Sequence, residues 1–174
     1  MNGVNTQAGL PLAHAALRVL VVLNWLMGAA ILVVLLLMPH EQWIMRAFKL
    51  TPSPEADTLI QGMRAIAVLG LVAVPLHHLV LVRLLAMVGT VRGGDPFIPA
   101  NVRRLQAIAW VLLALQLLSI VIGLVAEAVS TPANPLFLDA GFSVSGWLAV
   151  LLTFVLARVF AAGAAMRDDL EGTV

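Results

Sequence analysis

Cysteine is absent from the 174 residues, so the chain by itself can form no disulfide, no thiolate metal site and no thiol redox centre. Quinone-linked disulfide oxidoreductases of the four-helix type are excluded with it. Charge is scarce as well. Only 11% of residues are Asp, Glu, Lys or Arg against 61% hydrophobic, which leaves too little polar surface to cover a water-soluble globule. Carboxylates are missing from the long apolar runs, and no Ser-His-Asp arrangement can be placed at one depth. Asp168-Asp169 also lacks the further spaced aspartates of a phosphatidyl-transfer enzyme. Catalysis is therefore not expected, and neither a metal nor a cofactor is.

What the chain has instead is four apolar runs: Val19–Met38, Ala65–Val82, Ala107–Ala126, and Gly146–Ala157 extended through its small-residue flanks. A hydrocarbon core of roughly 30 Å takes about 20 helical residues to cross. The expected fold is all-α: a polytopic membrane protein with four transmembrane helices in a compact antiparallel bundle. The spans are predicted at about 17–38, 63–88, 102–128 and 143–165, with a short tail at 166–174, in a single domain over 1–174. The first run exceeds an ordinary signal-peptide core, and Met38-Pro39-His40-Glu41 is a poor cleavage site, so it reads as a membrane helix.

Lys and Arg in short loops set topology. With both termini and the middle loop inside, Arg18, Arg83, Arg92, Arg103, Arg104, Arg158 and Arg167 are cytoplasmic, while Arg46, Lys49 and Arg64 are outside. The Glu127–Phe142 connection has no Lys or Arg and favours the same N-in, C-in orientation. In the first outer loop, Glu41–Leu50 places Trp43, Ile44, Ala47 and Phe48 at helical spacing opposite Arg46 and Lys49, as an interfacial helix would. Thr51-Pro52-Ser53-Pro54 then stops a helix. The second outer loop, with Pro132 and Pro135, reads as a connection alone.

The middle loop is the most patterned soluble stretch. Gly93-Gly94 can end the helix that continues from span two, Asp95-Pro96 and Ile98-Pro99 hold the chain extended, and Asn101 can cap span three. Phe97 is expected to tuck under the bundle. Gly-Gly without Gly-x-Gly-x-x-Gly or Walker spacing is a weak phosphate signal.

Gly94-Asp95-Pro96-Phe97, followed by Asn101, Arg104-Leu105 and Ile108, resembles the bacterial family of four-helix membrane proteins known as domain of unknown function 2975. So does the C-terminal stretch Val159–Val174, with its Phe, Gly-containing small spacer, acidic residues and closing Thr-Val. Gly172 stands where that pattern has an acidic residue. The resemblance covers residue 15 or so to the C-terminus. It implies a bacterial inner-membrane location and no defined activity. It also implies pairing with a small helix-turn-helix regulator or another cytoplasmic protein, without direct contact to nucleic acid.

Independently of the family, Arg103 and Arg104 share a membrane face with Asp168, Asp169 and Glu171, so pairing between them would position the tail. Exposed pairs contribute only about 0–1 kcal/mol. The bland alternative is a solvated tail beside stop-transfer arginines. With Asp95, Phe97 and Asn101, these residues form the expected cytoplasmic interaction surface.

Intramembrane polar residues offer a second candidate. Asn24 lies six residues beyond Arg18, and His77 and His78 precede Arg83 by six and five, each roughly 9 Å along a helix. With Arg158 they could form one polar layer binding a lipid or amphiphile, below a bend at Pro75. Interhelical hydrogen bonds among Asn24, one histidine and Gln116, with Arg158 snorkelling to headgroups, explain the same residues without a ligand. Gly28, Gly62, Gly70, Gly123 and Gly146 permit close helix approach. Two functions follow as expectations: a non-enzymatic interaction or regulatory component, and alternatively a small lipid-binding or transport component.

Overall fold

The computed structural model describes residues 5–37, 53–132, 135–136 and 138–171. The expectations for Glu41–Leu50 and for Gly172 fall outside the described residues, as do the side chains of Asp168 and Glu171. Among the described residues helix is the only regular structure. It forms α1 (Asn5–Leu37), α2 (Pro54–Arg92), α3 (Pro99–Val129) and α4 (Val144–Glu171). The shortest, α4 with 28 residues, extends for about 42 Å at 1.5 Å per residue. All four are long and apolar enough to cross a membrane, and the chain is a multi-pass membrane protein. Large apolar side chains lie exposed along them, such as Leu26, Val72, Leu124 and Leu151, where lipid tails as apolar as leucine can solvate them.

The helices outrun the expected spans. Ser53-Pro54, read as the end of a helix stop, instead opens α2. Ser53 Oγ accepts the Ala56 N–H at 3.2 Å, and Pro54 takes the first helical position, where a missing N–H costs nothing. Pro75 sits inside α2, which continues past it. At the other end of the chain, the expected tail from Met166 is a continuation of α4 as far as Glu171.

Two compact units make up the chain. The first comprises Met1–Asn24, Leu76–Ala114 and Val144–Val174; the second comprises Trp25–Pro75 and Leu115–Ser143. In the second unit, Gly28 lies against Val74 and Gly70 near Ile31, so α1 and α2 run antiparallel there. Gly62 meets Val129 of α3, and a Cβ on Gly62 would lie 2.6 Å from that side chain.

The connection after α3 is more than a link. The described residues between Ser130 and Ser143 fold back along α3 within the second unit. Leu136 N–H donates to Ser130 Oγ at 3.0 Å. Farther down, Ser119 Oγ accepts the Gly141 N–H at 3.2 Å and donates to the Gly141 carbonyl at 3.3 Å. Gln116 Nε2 reaches the Ser143 carbonyl at 3.4 Å. Gln116 is thirteen residues before Val129, so the segment descends about 20 Å below the end of α3. Non-helical backbone at that depth survives only where protein or water satisfies its polar groups, and Ser119 and Gln116 do so here.

Gly141 adopts φ +120°, a conformation that side chains resist, and Gly123 leaves room for it. A Cβ on Gly123 would stand 2.8 Å from Gly141 Cα and 3.1 Å from the Ala140 carbonyl oxygen, both rigid backbone atoms. Gly123→Ala is expected to cost about 1–3 kcal/mol, seen as a lower melting temperature in detergent, despite the better helix propensity of alanine. Gly70→Ala, whose Cβ would first meet Ile31 Cδ1 at 3.8 Å, is expected to be neutral or stabilising. Equal effects at the two positions would contradict the close approach.

Candidate functional site

The first unit gathers the patterned loop onto α4. Its construction starts where α2 stops. Asp95 N–H donates to the Thr90 carbonyl and Gly94 N–H to the Val91 carbonyl, both at 3.1 Å, while Gly94 takes φ +81°. This is a Schellman ending, in which glycine supplies the left-handed residue and the crossed bonds satisfy the last carbonyls. The sequence expectation for Gly93-Gly94 thus has its physical counterpart.

Asn101 plays a different part from the one expected. Pro99 opens α3, so Asn101 is already the third helical residue, and its N–H donates to the Ile98 carbonyl at 2.9 Å. A proline fits the first turn as well as an amide cap fits the residue before it, which moves the helix start three residues upstream, from 102 to Pro99. The side chain is then free to turn back. Asn101 Nδ2 donates to Thr90 Oγ1 at 2.7 Å and to the Pro96 carbonyl at 2.8 Å. Its Oδ1 accepts from Arg104 at 2.8 Å. Asn101 is fully buried, and this one amide ties the end of α2, the loop and the start of α3 together. Thr90 Oγ1 passes its own proton to the Met87 carbonyl at 2.7 Å.

The loop then closes on α4 through two contacts. The Phe97 ring lies over Gly163, where a Cβ would come within 2.7 Å of Cδ1, and meets Phe160 with centroids 5.1 Å apart. Asp95 forms an ion pair with Arg167. Both charged side chains remain partly exposed, 38% and 43% respectively, and Phe97 is 41% exposed. Phe160, Gly163 and Arg167 recur at i, i+3 and i+7, one stripe of α4 facing one loop. Below it, Trp110 of α3 meets Phe154 edge-on at 5.4 Å.

The expected surface residues are therefore placed as follows. Asp95, Phe97, Asn101 and Arg104 converge on the node. Arg103 and Asp169 are exposed beside it. Arg104 spends its described hydrogen bond on Asn101, and the described ion pair between loop and α4 joins Asp95 to Arg167, with the signs reversed from the expected arrangement of Arg103 and Arg104 with Asp168, Asp169 and Glu171. Thr90 was not singled out from the sequence. Phe160, Gly163 and Arg167 were named there only as parts of the C-terminal motif and as a cytoplasmic arginine. Their i, i+3, i+7 spacing on α4 is the signal that would have joined them to the loop.

The residues of the expected polar layer are placed as follows. Arg158 lies one turn beyond Phe154 toward the node and is exposed. His77 and His78 precede Thr90 by thirteen and twelve residues, about 18 Å along α2, with His77 exposed and His78 half-buried. Asn24 is half-buried on α1. Arg158 and the histidines thus stand at different levels of the first unit. Among the described residues no three His, Cys, Asp or Glu side chains gather as metal ligands.

Asn101→Ala is expected to destabilise the protein by about 1–3 kcal/mol, because it strands the Pro96 carbonyl and the Arg104 guanidinium in a buried setting. Thermal unfolding in detergent measures this. Thr90→Val, which removes one hydroxyl from the same network, is expected to cost about half as much, and a neutral Asn101→Ala would show that the buried amide carries no stability.

No curated protein and no solved structure matches the chain. One family model does, described as protein of unknown function (DUF2975), and its match runs over residues 8–174. Motif, node and family match coincide on the same residues, and the chain belongs to the DUF2975 family.

Proposed function

We propose that this protein is a non-enzymatic interaction or regulatory component of the bacterial inner membrane, acting through the Gly93–Ile98 loop and the end of α4 on the cytoplasmic side. One observation carries the reading: the loop is joined to α4 by contacts that are specific in geometry and weak in energy. Asp95 and Arg167 are partly exposed, and a pair of that kind contributes about 0–1 kcal/mol. Phe97 leaves part of its ring accessible, and Arg103 and Asp169 are exposed as well. A soluble partner, such as a small helix-turn-helix regulator or another cytoplasmic protein, could take hold of the ring and exchange the ion pair at small cost. The buried Asn101 network would hold the loop's base in place while its tip changes contacts.

The reading requires the node to face the cytoplasm. The native chain has no cysteine, so single cysteines report sidedness without background. With Arg92→Cys and Asp57→Cys in intact cells, a membrane-impermeant maleimide is expected to label Asp57→Cys and to leave Arg92→Cys unlabelled until the membrane is opened. The opposite pattern would place the node outside and end the cytoplasmic-partner reading.

Coupling between loop and α4 is tested by hydrogen exchange in nanodiscs. Arg167→Asp is expected to raise exchange several-fold in both the Gly93–Ile98 loop and the last turns of α4, and the double exchange Asp95→Arg with Arg167→Asp is expected to restore most of the protection. Unchanged protection in Arg167→Asp would remove the proposed coupling.

A further inference from the structure

The second unit contains a partly open cavity of about 470 Å³, within the range typical of small-molecule sites. Ile31 and Val34 of α1, Met63 and Gly70 of α2, and Leu136 and Leu138 of the fold-back segment contribute to its wall. Every described residue around it is apolar. Water is a poor occupant, because a buried molecule takes two to four polar partners and the described lining offers none. An empty volume of this size is equally unfavourable, since the side chains around it forfeit their dispersion contacts on one side.

The occupant is decided by what surrounds the unit. Helices α1, α2 and α3 are each long and apolar enough to span a membrane, and the medium around such helices is hydrocarbon. Its described lining has no charged or amide side chain to orient a polar ligand, so that lining suits the shape of an apolar chain. It is partly open, as it must be if a headgroup is to stay outside. Met27 and Met63 add flexible thioethers that can adjust to a chain of variable curvature. The fold-back segment does not fill the space. It leaves Leu136 and Leu138 along one side of it, so the non-helical stretch shapes the cavity as well as linking two helices.

We propose that this cavity holds one acyl chain of a bilayer phospholipid as a resident part of the structure. The proposal rests on the membrane-spanning fold alone and is independent of the loop-partner reading. It also places lipid away from the polar residues Asn24, His77, His78 and Arg158, none of which lines this cavity.

The test begins with the full chain in nanodiscs of palmitoyl-oleoyl phosphatidylethanolamine and phosphatidylglycerol, gently extracted and weighed by native mass spectrometry. The native chain is expected to retain one phospholipid per polypeptide. Two substitutions fill the cavity from different helices: Ala30→Leu on α1 and Gly70→Leu on α2. A first side-chain atom at Gly70 would sit 3.8 Å from Ile31 Cδ1, an ordinary contact. Each filling is expected to lower phospholipid retention at least tenfold while keeping or raising the melting temperature. Retention unchanged in both variants, or no phospholipid on the native chain, would overturn the proposal.

A second measurement does not depend on the variants folding. Delipidated native chain in detergent is melted with added phosphatidylglycerol and, separately, with glycerophosphoglycerol, which has the headgroup and no chains. Binding to the folded state alone raises the melting temperature with concentration. A rise with the intact lipid and none with the headgroup supports the acyl-chain site. No rise with the lipid, or an equal rise with both, overturns it.

Discussion

One primary amide governs the end of the molecule where the patterned loop lies. Asn101 is fully buried and both donates and accepts, so the three segments it touches are held in one arrangement. Buried polar groups are demanding because an unmade hydrogen bond inside protein is costly. The same demand makes them specifying: only a loop that brings the Pro96 carbonyl and the Thr90 hydroxyl to the right side of α3 satisfies Asn101. The Gly94 turn, the Pro99 helix start and the Phe97 seat all serve that geometry. Above this rigid base the contacts to α4 are exposed and inexpensive to exchange. The loop is thus held by a buried network at its root and by partly exposed contacts at its tip.

The second unit solves a different problem by related means. Its fold-back segment has to bring unpaired peptide groups into an apolar depth. Ser119 answers one residue, Gly141, with both its donor and its lone pair, and Gln116 answers Ser143. Gly123 contributes by having no side chain. These three lie on α3 at spacings of three, four and seven, so a single stripe of small and polar residues receives the whole descent. In each unit a glycine on the receiving helix, Gly163 on α4 and Gly123 on α3, lets irregular chain approach closely, and a small number of side-chain hydrogen bonds fixes its register.

Much of this was legible beforehand, for reasons that differ by residue. Apolar runs reveal membrane helices because the bilayer tests every residue of a span for its affinity to hydrocarbon, and the four runs match α1 to α4. Gly93-Gly94 was readable because a left-handed turn has few residue solutions. Ser53-Pro54 and Ile98-Pro99 were harder. Proline forbids the continuation of a helix and favours its beginning, and local sequence does not say on which side the helix lies. The Asp95–Arg167 pair was missed because several arginines and acids share that face, and charge alone does not rank the combinations. The fold-back of 130–143 was missed because hydropathy reads composition, whereas the descent depends on where Gln116 and Ser119 point.

That descent bears on how the chain enters a membrane during synthesis. A translocating segment is admitted to lipid on the strength of its own apolar length. Arg158 interrupts the last apolar stretch, so the charge-free part of α4 before it, Val144–Ala157, is about 21 Å long, and crossing a hydrocarbon core draws on the flank beyond Arg158 as well. The residues that lead into it, Gly141 and Ser143, are non-helical, and α3 satisfies the Gly141 peptide groups and the Ser143 carbonyl. The lead-in gains these hydrogen bonds only once the third helix is beside it, which favours insertion of the two helices as a hairpin over insertion one at a time.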